Sequence, residues 1–410
     1  MATSLPSQAE GIASSVAAVR SAKPALLMAV YANADVYVPT VAAAHILAHQ
    51  FSLTIVSRNS DESYLDWPAG IEVERIGPPV PMRQLETASP LSKAREFLRY
   101  LGELRRASSR LAPAIFYAYD PIALAAVMMI RSKGPVIFQC HDAPALEKLP
   151  LRSLQTWLIK YALRRTSDAA VVVFPEKNRA AYWLHAAGDR RAAIIVPNGA
   201  PRDFFQPDSD WCDLAAQRWT ARRVFYLSSM GSENGQLEAI DACATAGVPL
   251  DLAGRSSPEF RASLEKRVAT NDPAERIRIH GRVDDATRMR LLRDAAVGLL
   301  LYKPVSKNWE FSGSASTKLF EYGAAGLPVI VPDRRSYREF LDGEEWIAFV
   351  DIDDPRSIAA GINSILADRD RYVTMSRAAR AAHENRLNYE LLFEPVRARI
   401  AELTNLNGRA

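Results

Sequence analysis

Short apolar runs alternate with stretches of helical periodicity along this chain, and near the middle the alternation stops and restarts. In the first half, strands are expected at 25–30, 53–56, 71–76, 115–117, 136–140, 169–174 and 194–196. Helical patterns fall between them at 40–49, 92–111, 122–132, 154–165 and 177–187. After Pro197-Asn198-Gly199 the pattern begins again, with strands at 224–227, 250–253, 277–280, 297–301, 329–331 and 347–350 and helices such as 236–246 and 285–293. Strands that alternate with helices must pair in parallel, because a crossover helix returns each strand to the same end of the sheet. The fold class is therefore α/β, with two Rossmann-like, doubly wound parallel-sheet domains. Ligands of such sheets bind outside the carboxyl ends of the strands, so two facing domains create a cleft suited to a small molecule.

The expected organisation is a leader at 1–23, a first domain at 24–200, a connection at 201–222, a second domain at 223–375 and C-terminal helices at 376–410. The leader is rich in Ala and Ser and lacks the apolar core of a signal peptide, which reads as disorder. No apolar run approaches 18 residues, so no membrane-spanning helix is expected. Cys140, Cys212 and Cys243 have no metal-ligand spacing, and an odd count fits a reducing cytoplasm. Residues 1–200 hold 22 Lys+Arg against 16 Asp+Glu, whereas 201–410 hold 29 against 31. A basic first half suits an anionic surface or substrate but is too mild to argue for nucleic acid.

Residues 312–333, SGSASTKLFEYGAAGLPVIVPD, carry the densest chemical information. A small-residue loop enters a short helix, which stops at Gly326 and feeds an apolar strand. Lys318 and Glu321 are three apart and share a helix face. A cation in a first helical turn is disfavoured unless an anion lies nearby, and free N–H groups at the same place bind phosphate. Glu321, one turn deeper, has two oxygens for a ribose diol. By spacing alone the pair fits either a nucleoside diphosphate or an ordinary surface ion pair, worth about 0.3–0.5 kcal/mol.

The segment resembles the signature of retaining GT-B glycosyltransferases, the broad group around glycosyltransferase family 4, and best its subgroup with a K-L-[FY]-E-Y helix. The GLPVIVPD tail matches the strand that follows, and further matches run from about Leu26 to Leu366. The resemblance implies the GT-B fold, with a C-terminal helix returning to the first domain. It implies transfer of a sugar from a nucleoside diphosphate donor, without metal or other cofactor, to a glycan or lipid-linked acceptor, as in bacterial polysaccharide biosynthesis. Glu321 is implied to hold the ribose and Lys318 the diphosphate. The loop Gly313-Ser314-Ala315-Ser316-Thr317 would touch sugar hydroxyls through its amides, as small residues permit.

Other segments bear on the same reading. In VIFQCHD (136–142), His141 and Asp142 stand at the carboxyl end of a strand; a loop cap explains them too, whereas the resemblance puts His141 beside the donor sugar. Asn33 and Asp142 are assigned to the acceptor side. In HGRVDDATRMRLLRD (280–294), Arg282 and Val283 match the positions whose backbone meets the base, and Asp284 or Asp285 reads as an N-cap.

The chain also departs from the family pattern. In VFYLSSMGSENG (224–235), Ser229 stands where relatives carry a phosphate-clamping arginine and Asn234 where they carry a lysine, with Gly231 between. Hydroxyl and amide groups bind phosphate more weakly than charge-assisted donors, so Lys318 and Arg255 are the candidate substitutes. The usual E-x7-E pair is broken too: the first position is Gly313, and Glu310 is the nearest carboxylate. These losses keep open a non-catalytic GT-B subunit that partners an active enzyme; a sugar-nucleotide epimerase on the same fold is a third reading. Three D-x-D tripeptides, at 208–210, 351–353 and 368–370, lie where loops or helix caps explain them. The stretches 93–110 and 149–165 are basic and amphipathic, and each suits either the sheet or an anionic membrane, at roughly 1 kcal/mol per basic residue.

Overall fold

A computed structural model of the chain describes residues 23–60, 67–79, 88–130, 133–150, 152–208, 210–272 and 274–407. The expected leader lies outside the described residues apart from Lys23.

The first domain contains β1 (Ala25–Val30), α1 (Val38–Ala48), β2 (Ser52–Arg58), β3 (Ile71–Ile76), α2 (Pro90–Leu111), β4 (Ile115–Tyr119) and α3 (Asp120–Met129). It continues through β5 (Val136–Gln139), α4 (Leu154–Arg165), β6 (Val171–Phe174), α5 (Lys177–Ala187) and β7 (Ile194–Ile195). The second domain contains α6 (Trp211–Ala221), β8 (Val224–Leu227), α7 (Gln236–Ala246), β9 (Leu250–Ala253), α8 (Pro258–Asn271), β10 (Ile277–Gly281), α9 (Asp285–Asp294) and β11 (Val297–Leu299). It continues through α10 (Lys307–Glu310), α11 (Thr317–Ala324), β12 (Val329–Pro332), α12 (Arg335–Leu341), β13 (Ile347–Val350), α13 (Pro355–Leu366) and α14 (Arg369–Ala382). A final helix, α15, spans Tyr389–Asn407.

Both sheets are parallel, in the orders β3-β2-β1-β4-β5-β6-β7 and β10-β9-β8-β11-β12-β13. Counted from each domain's first strand, the two orders are alike. Each reverses direction between its first and fourth strands, where a crevice opens at the carboxyl ends. Each sheet is buried on both faces. Along β1, Leu26, Met28 and Val30 join one core while Leu27 and Ala29 join the other. Along β8, Val224 and Tyr226 take one side and Phe225 the opposite. Two-sided burial explains why these strands read as unbroken apolar runs rather than alternating ones.

The helix ends follow local chemistry. Ser89, Ser153, Ser257, Asp284, Asp354 and Asp368 each accept a backbone N–H of the first turn of the helix they precede. The cap at 368 opens one of the D-x-D stretches, the cap at 354 directly follows another, and Asp210, which ends the third, caps α6 in the same way.

Two expectations shift. The stretch read as a connection, 201–222, contains α6, whose Leu214, Ala215 and Arg218 are buried in the second domain. The C-terminal helices are parted by a π-turn at His383–Leu387 and by Asn388 in extended conformation. Ala379 and Ala382 still pack in the second domain, whereas Tyr389, Phe393, Val396 and Ile400 enter the core of the first. The return to the first domain therefore begins at Asn388, not at 376. Asn388 marks the break because it caps both sides: its Nδ2 donates to the carbonyls of His383 and Glu384, its backbone N–H donates to the His383 carbonyl, and its Oδ1 accepts the N–H of Leu391.

Arg218 of α6 sets the two helices that matter most for the cleft. It is 2% exposed and donates to the carbonyls of Leu292 and Arg293 at the end of α9 and of Ala325 at the end of α11. Burial pushes its guanidinium down to about 10, so it stays charged at neutral pH and favours the negative ends of both helices. Arg218→Ala leaves three carbonyls without this donor, and calorimetry should show a loss of about 3 kcal/mol or more. Arg218→Lys, which keeps the charge but not the fork, should lose less.

Candidate active site

A cleft of about 600 Å³ lies between the carboxyl edges of the two sheets, within the roughly 300–1,000 Å³ typical of small-molecule sites. The first domain lends it the segment 36–39 after β1, His141 and Asp142 after β5, Arg179 on α5, and Asn198. The second lends the 227–229 turn after β8, Gly254 after β9, Arg288 on α9, the 306–312 segment and the start of α11.

α11 is seated from beneath. Leu319, Phe320 and Tyr322 are buried, and the Tyr322 hydroxyl accepts the N–H of Leu227 at 3.0 Å. The Tyr322 ring lies on Gly298 of β11 so closely that a Cβ there would be 2.6 Å from the ring. Lys318 and Glu321 both line the cleft from the opposite face of the helix. Glu321 is 4% exposed, and its Oε1 accepts from the Arg288 guanidinium at 2.8 Å. Arg288 also reaches Asp285 at 3.1 Å and rests on the Phe204 ring. Lys318 has no ion-pair partner among the described residues, so its ammonium is available to an anion in the cleft.

The loop before α11 is pinned across the domains. Asn198 donates its backbone N–H to the Ser314 carbonyl at 3.1 Å and its Nδ2 to the Ala315 carbonyl at 2.7 Å. Ser314 Oγ donates to the carbonyl of Pro175 at 2.7 Å. Ala315, Ser316, Thr317 and Lys318 line the cleft; Gly313 and Ser314 sit just behind it. A Cβ at Gly313 would lie 2.2 Å from the Ser336 carbonyl. No side chain fits there without a backbone shift. Glu310 pairs with Lys307 at 2.7 Å.

His141 is 4% exposed, and its ring is the third of four that stack in series: Tyr117, Tyr119, His141 and Tyr37. The Tyr119–His141 centroids are 5.0 Å apart at 5°. Asp120 accepts the His141 N–H at 2.8 Å, and its second oxygen is 3.7 Å from Nδ1. Asp120 holds φ at 65°, an uncommon value for a residue with a side chain.

The remaining expected residues are spread more widely. Ser229 is exposed and lines the cleft. Asn234 is fully buried, and its Nδ2 donates to the Ser229 carbonyl at 2.8 Å, so the amide braces the turn from behind. Gly231 stands beside the Glu233 carboxylate, outside the cleft lining. Arg255 and Arg282 are exposed and Val283 packs against the second domain's core, all outside that lining. Asn33 is buried beneath the cleft, donates to Ser60 Oγ and caps the short turn 34–36.

Residues that sequence reasoning missed include Arg288, Arg179, Asp120 and Gly254. Gly254 holds φ at 148°, and a Cβ there would lie 1.7 Å from the Ser228 carbonyl. Only glycine lets the turns after β8 and β9 meet. Its place directly after a strand, in LAGRS, was the available signal. The two arginines had none, because their partners lie far off in sequence.

The fold defines a class: two Rossmann-like parallel-sheet domains facing each other across a cleft, the GT-B fold. Residues 236–393 match the family model described as glycosyl transferase-like. Among solved structures, HepE of Anabaena in complex with UDP is similar at 14% identity and TM-score 0.68, over 92% of this chain and 100% of that one. Sucrose-phosphate synthase from Thermosynechococcus elongatus is similar at 15% identity and TM-score 0.71, over 93% and 100%. WaaG, a glycosyltransferase involved in lipopolysaccharide biosynthesis, is similar at 13% identity and TM-score 0.62, over 91% and 98%. Comparison with curated protein sequences returned no match.

Asp120→Ala keeps the positive φ but loses the acceptor for the His141 N–H. Thermal denaturation should show a loss of about 1–3 kcal/mol. Asp120→Asn, which retains an acceptor oxygen, should stay within about 1 kcal/mol of the parent.

Proposed function

We propose that this protein is a retaining, metal-independent glycosyltransferase of the family 4 type that uses a nucleoside diphosphate sugar. The observation that carries the reading is the first face of α11: the Lys318 ammonium and the Glu321 carboxylate line one cleft, one helical turn apart, at a helix N-terminus. That arrangement offers a cation and free N–H groups to a diphosphate and an anion to a ribose. Binding of the ribose would use the Glu321 oxygen that Arg288 leaves free. The 313–317 loop would meet the sugar, Ser229, Gly231 and Arg255 would lie toward the phosphates, and Arg282 and Val283 toward the base. His141 would face the sugar from the other domain, with Asn33 and Asp142 on the acceptor side.

The reaction breaks the bond from the anomeric carbon to phosphate and forms one to the acceptor hydroxyl on the same face. The acceptor proton passes to the departing phosphate oxygen. No side chain need attack; the protein positions the reactants and stabilises the phosphate charge. In isothermal titration against UDP, ADP and GDP, Glu321→Ala should weaken the preferred nucleotide about 10–100-fold, the worth of one charge-assisted hydrogen bond. Lys318→Ala should weaken it and flatten its dependence on salt. Unchanged affinity in both variants overturns the assignment. The uncharged clamp positions Ser229 and Asn234 support a second reading, a non-catalytic subunit, and a wild-type protein that binds none of the three nucleotides favours it.

The proposed acceptor is a glycan or lipid-linked glycan in bacterial polysaccharide synthesis, and the proposed location is the cytoplasm, at the inner face of the membrane. No helix among the described residues is long and apolar enough to cross a membrane. Leu98 on α2 and Trp157 on α4 are 65% and 53% exposed, on the helices that carry the basic residues. Replacing both with Ala should release the protein from anionic vesicles in a sedimentation assay, with no change on neutral ones.

A further inference from the structure

The charged side chain with the most partners in the cleft is one that no part of the proposed chemistry uses. Arg179 stands in the first turn of α5, its backbone N–H bonded to the capping carboxylate of Glu176 at 2.8 Å. Its side chain is 5% exposed in the residue average and spends its donors on both domains. Nη1 donates to the His141 carbonyl at 2.6 Å and to Asp142 Oδ1 at 3.2 Å, both in the first domain. Nε donates to the Phe311 carbonyl at 2.8 Å and Nη2 to the Asn308 carbonyl at 2.6 Å, both in the second. A buried cation is costly unless its hydrogen bonds are satisfied, and here half of that satisfaction comes from across the cleft.

From this geometry we infer that Arg179 is a positioning residue, a latch that holds the 307–312 segment against the back of His141 and so sets the closed spacing of the two cleft walls. The inference rests on the proposed use of the cleft only for its effect on turnover, not for the latch itself. When the domains part, Nε and Nη2 lose the Phe311 and Asn308 carbonyls, while the His141 and Asp142 contacts move with Arg179. The guanidinium thus has one arrangement for a closed cleft and another for an open one. Nearby contacts share the same edge. Asn308 Nδ2 donates to Asp142 Oδ1 at 3.2 Å, Ser314 Oγ to the Pro175 carbonyl, and Lys177 pairs with Glu339 at 3.0 Å. Residues 175–179 and 142 are therefore one edge along which the first domain grips the second. A planar fork is required, because three of the four acceptors are backbone carbonyls fixed in different directions and a point-like ammonium cannot reach them together.

The test uses the full chain with Arg179→Lys and Arg179→Ala. Hydrogen exchange should quicken at 307–312 in both variants, and small-angle scattering should give a larger radius of gyration than the wild type. With whichever of UDP, ADP and GDP the wild type binds, affinity should stay within about threefold, since Lys318 and Glu321 are untouched. Turnover of the matching sugar nucleotide should fall at least tenfold, a kcat effect at constant donor affinity. Lys should keep more of it than Ala. Wild-type exchange at 307–312 in both variants overturns the latch. A wild type that binds no nucleoside diphosphate overturns the proposed function alone, because exchange and scattering still report on the latch.

Discussion

The cleft depends on the place where the chain crosses between its domains. Two crossings, at 197–200 and 388–389, run side by side: the Tyr389 N–H donates to the Ala200 carbonyl at 2.9 Å. A Cβ at Gly199 would lie 2.7 Å from Leu392 and 3.0 Å from the Leu387 carbonyl, so the two strands of the hinge touch backbone to backbone. Asn198, in the first crossing, holds the Ser314 and Ala315 carbonyls. The loop that feeds α11 is thereby registered to the hinge itself. A displacement of the hinge is a displacement of the site.

Charge is managed with few residues. Of the cleft's cations, Arg288 is tied to Glu321, Arg179 to carbonyls of both domains, and Lys318 is left to an incoming anion. The absence of charge at Ser229 and Asn234 is matched by tight backbone construction. Asn234 braces the Ser229 carbonyl, Met230 N–H bonds the Arg255 carbonyl at 2.7 Å, and Gly254 lets the two turns meet. Under the proposed function, a turn held this rigidly would offer its dipoles to the diphosphate without reorganisation.

Much of the fold was legible in the chain. Two-sided apolar strands and capped helices report on themselves, because burial and capping are local demands; Ser89-Pro90 and Asp354-Pro355 each announce a helix start. The α11 motif was legible for the same reason, since Lys318, Glu321 and Gly326 lie within one helix. What was hidden depends on distant partners. Arg288 meets Glu321, Arg179 meets Asn308 and Phe311, and Arg218 meets Ala325 only once the sheets are stacked. Asn234 braces the Ser229 carbonyl from behind the turn, and a motif does not say which way a side chain turns. The late break at Asn388 escaped notice because a helical pattern continues in type on both sides of it.

By itself, then, the sequence determined the alternating α/β architecture, the restart into a second domain and the single helix that carries a lysine and a glutamate toward one face. These follow from periodicity, capping and turn chemistry, all settled within a few residues. Only the tertiary structure decided which carbonyls Arg179 bridges, that Gly313 has no room for a side chain, and that His141 lies in a column of stacked rings. Those outcomes depend on groups from about twenty to more than a hundred residues apart that meet only in the folded chain, and such meetings are not encoded in local pattern.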